Sequence, residues 1–345
     1  MWNRSIAQLA VLAGFVSIFA APPLSAGDGD SWTMPRTSDG QPDLQGVWAN
    51  NNATPLERPE QLAGKAALSE QELAKLKKRA GELFNDDSGD AAFGDSVFSA
   101  ALGDAETFTS SDAQTGNYNQ FWVVEREFSD NRTSLVIDPP DGRIPEMTPA
   151  GQAKRAEQSA HRARLPHRPE DRSLGERCIT FGVPRLGAGY NSYYQIFQTP
   201  DSVAILSEMI HDVRIIPLDG RPHLDKRLQQ WHGDSRGRWE GDTLVVETRN
   251  YSPKSSFRGS SEKLQLVERF TRVGPKTLEY EVAVEDPTTW TGPWTAMIPL
   301  KKSADAIYEY ACHEGNYSME SMLAGARRLE ASSGDGSGDR SGDNN

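Results

Sequence analysis

Basic residues are in the minority in this chain of 345 residues, which has 37 lysines and arginines against 49 aspartates and glutamates. The formal net charge is −12 at pH 7, and no strongly basic patch is evident along the sequence. This balance argues against nucleic acid as a partner and against binding to anionic membranes by charge. Hydrophobic residues make up 37% of the chain, which is enough for a sizeable core.

Motifs of known chemistry are also missing. The sequence has no Gly-x-Ser-x-Gly, dinucleotide-binding or phosphate-loop pattern, and no histidine pair has the His-Glu-x-x-His spacing of a zinc site. The chain therefore offers no clear nucleophile and predicts no metal site. Any cofactor stays unassigned, and so does the oligomeric state.

The one long apolar run lies at the N-terminus. Arg4 precedes apolar residues 6–21, which are too few to span a bilayer comfortably, and Leu24-Ser25-Ala26 fits a small-residue cleavage site. We interpret residues 1–26 as a secretory signal peptide, with an uncleaved anchor as the alternative. We thus expect a periplasmic or secreted protein with no stable membrane anchor.

The chain has only two cysteines, Cys178 and Cys312. In an oxidising compartment an even pair most simply bonds to itself, so we predict a Cys178–Cys312 disulfide. The alternative is two buried thiols, which pack as small hydrophobic side chains.

Composition divides the mature chain into a single β-rich domain over residues 27–330 and a tail. Ser69 and Glu72 form a capping box at the start of a helix predicted over 69–84, and a short basic helix is predicted over 150–164. Residues 85–118 are small and acidic, which predicts a flexible insertion. Residues 331–345 are rich in Ser, Gly and Asp, which predicts a disordered tail.

The stretch at 231–251 indicates how this domain is built. Residues 243–248 alternate, with Leu244 and Val246 on one face, which is the period of a β-strand. Glycine turns at 234–237 and 240–242 precede it, and strands joined by tight turns are antiparallel. Further strands are predicted at 121–128, 133–138, 193–199, 203–211, 213–218, 264–273, 277–285, 294–300 and 307–312. About ten short strands predict a mainly β fold, an antiparallel barrel or sandwich with a few short peripheral helices.

Four histidines fall inside the β-rich region, and each has an acidic residue nearby in sequence. They are His211 near Glu208 and Asp212, His223 near Asp225, His232 near Asp234, and His313 near Glu314. A histidine–carboxylate pair can fix a tautomer, raise basicity or hold a metal, but it is also a common structural hydrogen bond. We predict that His211, His232 and His313 approach one polar cavity at a barrel mouth.

Three charged residues fall on predicted inward faces of strands, namely Glu208, Arg214 and Glu268. Charges on an apolar face are costly unless they are paired, so these residues form either a buried ion network or the lining of a wet cavity. We count them as candidate ligand-binding residues. Trp231, beside His232, and Tyr317, after the last predicted strand, complete that set.

Several segments resemble a family of exported, largely uncharacterised bacterial proteins. They are PDLQGVW at 42–48, RTSLVIDPPDGRIP at 132–145, HDVRIIPLDGRPH at 211–223, GDSRGRWEGDTLVVET at 233–248 and YEYACHEGNY at 308–317. Together they cover most of the mature chain, but the resemblance implies no settled activity. Gly46-Val47-Trp48 at the first strand also resembles the lipocalin signature, which implies a closed barrel with the tryptophan at one end.

Two functions of different classes follow from these patterns. The first is an exported binding protein that holds a small, partly apolar molecule in a β-barrel cavity. The second is an enzyme, a lyase, isomerase or hydrolase, that uses histidine–carboxylate acid/base chemistry with or without a metal. The position of the histidines separates the two, because convergence in one cavity favours the enzyme and scatter favours the binder.

Overall fold

The computed structural model describes residues 32–84, 95–104, 106–108, 127–188, 190–255 and 257–335. The predicted signal peptide at 1–26 and most of the strand predicted at 121–128 lie outside the described residues. The described residues from Met34 onward belong to one compact unit.

Ten strands form a single antiparallel sheet, so the prediction of a mainly β fold is confirmed. They are β1 (Gly46–Ala49), β2 (Val136–Asp138), β3 (Tyr193–Gln198), β4 (Ser202–Ser207), β5 (Val213–Pro217), β6 (Asp234–Glu240), β7 (Thr243–Arg249), β8 (Gln265–Arg272), β9 (Thr277–Glu285) and β10 (Trp294–Ser303). Nine strands follow the order β5-β4-β3-β1-β10-β9-β8-β7-β6, and β2 pairs with β10. Most neighbours in this order are also neighbours in sequence, as expected when tight turns join antiparallel strands.

The two end strands of this order, β5 and β6, approach each other without forming a hydrogen-bonded ladder in the described structure. Cα atoms of the two strands come within 8 Å of one another. A Cβ atom at Gly237 on β6 would lie 2.8 Å from Ile216 Cγ2 and 2.7 Å from Leu218 Cδ2, so glycine is what permits the approach. The sheet is therefore not closed by hydrogen bonds.

Alternation places apolar side chains on one face of the long strands. The residues of β9 buried in this way are Leu278, Tyr280, Val282 and Val284, as predicted. Trp48 is fully buried in the same cluster, and its Nε1 donates to the carbonyl oxygen of Leu44 at 2.8 Å. The guanidinium of Arg272 lies 5.7 Å from the Trp48 ring, so a cation covers the tryptophan at this end of the sheet.

Helices accompany the sheet in the described residues: α1 (Glu70–Leu83), α2 (Asp95–Leu102), α3 (Pro149–Arg162) and α4 (Tyr317–Asp335). The capping box predicted for α1 is confirmed, because Ser69 and Glu72 bond reciprocally. At the start of α3 the side chain of Thr148 accepts a hydrogen bond from the amide of Gly151. None of the described helices is long and apolar enough to cross a membrane.

Within the flexible insertion predicted over 85–118, residues 95–102 form α2. The spacing of Val97, Phe98 and Ala101 gives this helix an apolar face, which packs against Leu76 and Ala80 of α1 in a second core cluster. Residues 331–335 of the predicted disordered tail belong to α4.

Two strand predictions are also corrected. β4 ends at Ser207 instead of His211, because Ile210 and His211 adopt φ of 64° and 50° and the chain turns. The strand predicted at 307–312 does not form, and the amide of Cys312 instead donates to the carbonyl of Tyr310 in a tight turn at 2.8 Å.

Cys178 and Cys312 form the predicted disulfide, with their Cα atoms 5.7 Å apart. The bond joins positions separated by 134 residues. It fastens the segment after β10 to the loop that follows α3.

Candidate functional site

A buried ion pair lies on the inner face of the sheet. Arg214 on β5 is 9% exposed and Glu268 on β8 is fully buried, and they form a two-point contact in which Arg214 Nη2 donates to Glu268 Oε1 at 2.9 Å. The hydroxyl of Tyr280 on β9 donates to the same oxygen at 2.8 Å. The inward orientation predicted for Arg214 and Glu268 is therefore confirmed, and the two charges neutralise each other.

Burial and pairing act in opposite directions on this network. Burial disfavours the charged form of Arg214, but attraction to Glu268 outweighs it, so the pKa of Arg214 is raised. Burial, followed by the charge of Glu268, raises the pKa of Tyr280 well above its ordinary value. At neutral pH Arg214 is thus a cation and Tyr280 a hydrogen-bond donor.

A small cavity, here called the interior pocket, borders the ion pair. Its volume is about 60 Å³. Its apolar lining consists of Val183, Ile196, Ile205, Phe270 and Leu300. Pockets for drug-sized ligands measure about 300–1,000 Å³, whereas one liquid water occupies about 30 Å³. The interior pocket therefore has room for water or for the tip of a ligand, but not for the whole of a partly apolar molecule.

The largest of the three cavities described here, the basic cleft, lies at the end of the sheet where β7 ends and β6 and β8 begin. Its volume is about 760 Å³. Residues of α3 and of 170–183 line one side, and Trp231 with residues from 251–264 lines the other. Gly182 and Val183 line both the basic cleft and the interior pocket, so the two cavities adjoin.

The basic cleft is locally positive although the chain carries a net charge of −12. Its cations are Lys154, Arg155, Arg162, Arg172, Lys254 and Arg258, and its acids are Glu157, Glu170 and Asp171. The prediction that no basic patch exists is wrong at this place. Separate segments contribute the cations, so the patch is formed only when the chain folds.

Two of these cations donate hydrogen bonds to main-chain carbonyls. Those carbonyls carry no net charge and do not neutralise the cations. Lys154 Nζ donates to the carbonyl of Ser260 at 2.6 Å, and Arg172 Nη1 donates to the carbonyl of Arg162 at 3.1 Å. The Nε atom of Arg172 is buried and has no hydrogen-bond partner in the described structure. An anion in the cleft could satisfy such a donor.

The aromatic residues that line the cleft are Phe181, Trp231, Tyr251 and Phe257. Trp231, one of the predicted ligand-binding residues, is 37% exposed there. Tyr251 is 3% exposed, and its hydroxyl makes no hydrogen bond of good geometry, although it interacts with the side chain of Thr248. Burial, followed by the charge of Glu268, raises the pKa of Tyr251 well above its ordinary value, so the hydroxyl keeps its proton.

His232 lies where the basic cleft meets the interior pocket. Its Nε2 is 2.6 Å from Thr180 Oγ1 and 3.3 Å from Asp212 Oδ2. In a serine–histidine–aspartate triad the nucleophile and the acid contact different ring nitrogens. Here both contact the same nitrogen, so the arrangement is a histidine–carboxylate pair that can hold or move a proton, and not a nucleophilic triad.

The third cavity, the acidic pocket, lies between the outer face of the β3–β4 hairpin and the segment after β10. Its volume is about 490 Å³. Its ionisable residues are Glu208, His211, Glu309, His313 and Glu314. His211 Nδ1 is 3.0 Å from the carbonyl oxygen of Tyr310, and the His211 and His313 rings lie 6.4 Å apart between centroids.

The prediction that three histidines approach one cavity is wrong. His211 and His313 line the acidic pocket with Glu208, whereas His232 lines the interior pocket with Arg214. The three histidines therefore belong to two separate places. The inward orientation predicted for Glu208 is also wrong, because Val203 and Ile205 are the inward residues of β4, so Leu206 and Glu208 lie on the outer face.

The remaining candidates also differ from expectation. Tyr317, the first residue of α4, is 74% exposed and lines none of the three cavities described here. Histidines pair with acids other than those nearest in sequence: His223 Nδ1 lies 2.9 Å from Asp234 Oδ2, while Asp225 bonds Arg227. Asp234 is thus the partner of His223 and not of His232.

Sequence reasoning missed Thr180, Tyr251 and the cations of α3 as site residues. The run from Lys154 to Arg172 is visibly rich in basic residues and gave a usable signal for the cleft. Tyr251 gave none, because it belongs to no motif and follows the last residues of β7 without a nearby charge pattern.

No family model, curated protein or solved structure matches this chain. Membership of the exported bacterial family therefore stays a prediction. Among the described residues, no group of three or more His, Cys, Asp or Glu side chains is placed to hold a metal ion. Function has to be argued from the cavities and their charges.

Proposed function

We propose that this protein binds a small, partly apolar organic anion in the basic cleft. The observation that carries the proposal is a large cleft lined mainly by cations, in which the buried Nε of Arg172 has no hydrogen-bond partner in the described structure. The binding function expected from the sequence is kept, but the ligand is placed at the end of the sheet and not inside it.

Charge complementarity supports an anion. Cations outnumber acids along the lining, and Arg172 Nε is a buried donor without a partner. A carboxylate, sulfonate or phosphate group satisfies guanidinium and ammonium donors through short charge-assisted hydrogen bonds. Tyr251 can donate a further hydrogen bond to the same anionic group.

Cavity size and aromatic lining support a partly apolar body. A volume of about 760 Å³ falls in the range of small-molecule sites. Phe181, Trp231 and Phe257 contribute ring surfaces, and Phe181 is 55% exposed. Exposed aromatic surface of this kind is stabilised by a ligand that covers it. The adjoining interior pocket can accept a small projecting group.

The architecture belongs to the same proposal. β5 and β6 approach closely enough for Gly237 to meet Ile216, so we take the sheet as a barrel-like structure completed by side-chain packing instead of hydrogen bonds. In that arrangement the basic cleft is the mouth. Export to the periplasm or the cell exterior fits the Cys178–Cys312 disulfide, since such bonds persist in oxidising compartments.

An enzyme is the second candidate, because the His232–Asp212 pair lies where the cleft meets the interior pocket. A pair in that position could transfer a proton to or from a ligand bound in the cleft. Hydrolysis of 1-naphthyl acetate that disappears in His232→Gln would favour the enzyme. Binding of 1-naphthoate without any turnover would favour the binder.

Isothermal titration calorimetry with 1-naphthoate tests the proposal. The double variant Arg155→Gln/Lys254→Gln removes two exposed cations from the cleft, and we expect it to weaken binding about tenfold, which corresponds to about 1.4 kcal/mol. Tyr251→Phe should weaken binding, because it removes a hydrogen-bond donor from a residue of the cleft lining. The neutral analogue 1-naphthamide should bind much more weakly than 1-naphthoate.

The matched control is Lys75→Gln/Lys77→Gln on α1, which changes net charge equally at exposed positions away from the cleft. It should bind 1-naphthoate as the wild type does. Equal loss in both double variants would mean that only the overall charge matters. Equal affinity for 1-naphthoate and 1-naphthamide would rule out an anion site.

A further inference from the structure

The acidic pocket is a cavity that the anion-binding proposal does not use. Gln195 and Leu206, which are paired across the β3–β4 hairpin, form part of its floor on the outer face of the sheet. The segment from Ile307 to Glu314 forms the opposite wall, and the disulfide at Cys312 fastens that wall to the loop carrying Cys178. The floor of the pocket is therefore held by the sheet, and its opposite wall is held by the disulfide.

The charges that line this pocket are of one sign. Glu208, Glu309 and Glu314 contribute carboxylates, and among the described lining residues there is no lysine or arginine. The cation that acts on Glu208 from the other side of β4 is Arg185, whose Nη1 donates to Ser207 Oγ at 3.0 Å. Arg185 lines the interior pocket instead, so it does not neutralise the acidic pocket from within.

Glu208 supplies an independent sign of a missing ligand. It is 3% exposed, and its Oε1 accepts a long hydrogen bond from the amide of Tyr308 at 3.3 Å. Its Oε2 has no hydrogen bond of good geometry in the described structure, although the Asn191 side chain and the Tyr193 amide interact with the carboxyl and oppose the rise in its pKa. A buried carboxylate oxygen without a donor is costly, so a ligand that brings a donor to this oxygen would be stabilised.

We propose that the acidic pocket is a second binding site, for a small organic cation with an apolar body. A primary ammonium would donate to Glu208 Oε2, and Glu309 and Glu314 would attract it electrostatically. Ile307 and the rings of Tyr308 and Tyr310 offer apolar and cation–π contacts for the rest of the molecule.

Size and geometry favour an organic cation over a bare metal ion. The volume of about 490 Å³ matches a small molecule with a carbon skeleton. The two histidines and the carboxylates do not converge as a metal-holding group of three in the described structure. His211 and His313 are therefore assigned to the pocket wall.

Calorimetry with 2-phenylethylammonium and its neutral analogue 2-phenylethanol tests this site on the whole protein. We expect the ammonium to bind the wild type and the alcohol to bind about tenfold more weakly or not at all. Glu208→Gln keeps the size of the side chain and its Oε1 acceptor, and should weaken ammonium binding about tenfold. Asp201→Asn, an exposed acid at the far end of the same hairpin, serves as the control and should bind normally.

Several results would overturn the proposal. They are no ammonium binding at millimolar concentration, equal binding of ammonium and alcohol, or an unchanged affinity in Glu208→Gln. Binding of Zn²⁺ that is lost in His211→Ala and unaffected by the ammonium would assign the pocket to a metal. The Arg155→Gln/Lys254→Gln variant should bind the ammonium normally, so this site and the anion site succeed or fail independently.

Discussion

The basic cleft and the acidic pocket have opposite charges although both belong to one acidic domain. The cleft takes its cations from α3 and from two loops, and the pocket takes its carboxylates from the end of β4 and from the segment after β10. Neither sign could be read from the net charge of −12. Local potential depends on which segments the fold brings together, so overall charge is a poor guide to ligand charge.

The two regions also share a feature that separates them from the interior. Arg214 and Glu268 inside the sheet satisfy each other, and Tyr280 completes the network. Arg172 in the cleft and Glu208 in the pocket each keep a buried atom without a hydrogen bond of good geometry. Satisfied polar groups hold a fold together, whereas unsatisfied ones at a cavity wall indicate a binding site.

A single covalent bond supports a wall of each region. Cys178 lies between Gly175 and Thr180, which line the cleft, and Cys312 lies directly before His313, which lines the pocket. The two cavities therefore differ in charge but are linked by the disulfide.

The largest expected effect comes from breaking the ion pair that lies inside the sheet. Glu268→Ala leaves the Arg214 guanidinium buried without a counter-charge, and we expect a loss of about 3–5 kcal/mol in the free energy of unfolding. Urea denaturation followed by tryptophan fluorescence measures it. The double variant Arg214→Met/Glu268→Leu removes both charges and should lose much less. If the double variant is as unstable as Glu268→Ala, packing and not charge explains the loss.

The next effect tests whether one bond supports both regions. Cys178→Ser/Cys312→Ser should lower the free energy of unfolding by about 2–4 kcal/mol, because the loop of 134 positions is no longer closed in the unfolded chain. The variant should also bind both 1-naphthoate and 2-phenylethylammonium more weakly, since a wall of each cavity is released. Calorimetry with the two probes on the folded variant checks this. A loss confined to one probe would show that the other cavity is held by its own contacts.

The sheet could be predicted from sequence because its signals are local. β9 alternates apolar and charged residues over its whole length, and its bounds agree with the prediction, Thr277–Glu285. The capping box of Ser69 and Glu72 likewise involves residues three positions apart. The disulfide followed from having only two cysteines. Each of these inferences needs no knowledge of which distant segments meet.

The candidate sites could not be predicted in the same way, because they depend on distant contacts. His232 meets Asp212 and His223 meets Asp234, so sequence neighbours gave the wrong partners. Glu208 lies on the outer face because β4 buries Val203 and Ile205, and the wholly apolar residues 203–206 gave no signal for which face of the strand points inward. No local sequence pattern indicated that β5 and β6 approach each other.

The smallest expected effect tests whether Glu208 is a binding residue or a structural residue. Burial raises the pKa of this carboxyl above the ordinary value of 4.5, with the Tyr308 amide opposing the shift. A raised folded pKa means that the folded state binds protons more tightly than the unfolded state. The contribution of Glu208 to stability is therefore fully present below about pH 4.5 and is lost as the pH rises through the folded pKa.

Glu208→Gln removes this titration while keeping the shape of the side chain. We expect the variant to be more stable than the wild type at about pH 7.5 and to lose that advantage at about pH 4. The difference in the free energy of unfolding should be smaller than the one caused by removing the disulfide. Urea denaturation at the two pH values measures the difference. The other charged or titratable groups near Glu208 are present in both proteins, so their contributions largely cancel; they are His211, His313, Glu309, Glu314 and Arg185. The same variant should bind 2-phenylethylammonium more weakly at the higher pH. Greater stability together with weaker binding would identify Glu208 as a ligand-binding residue. A variant that is less stable at both pH values would instead identify Glu208 as a structural residue.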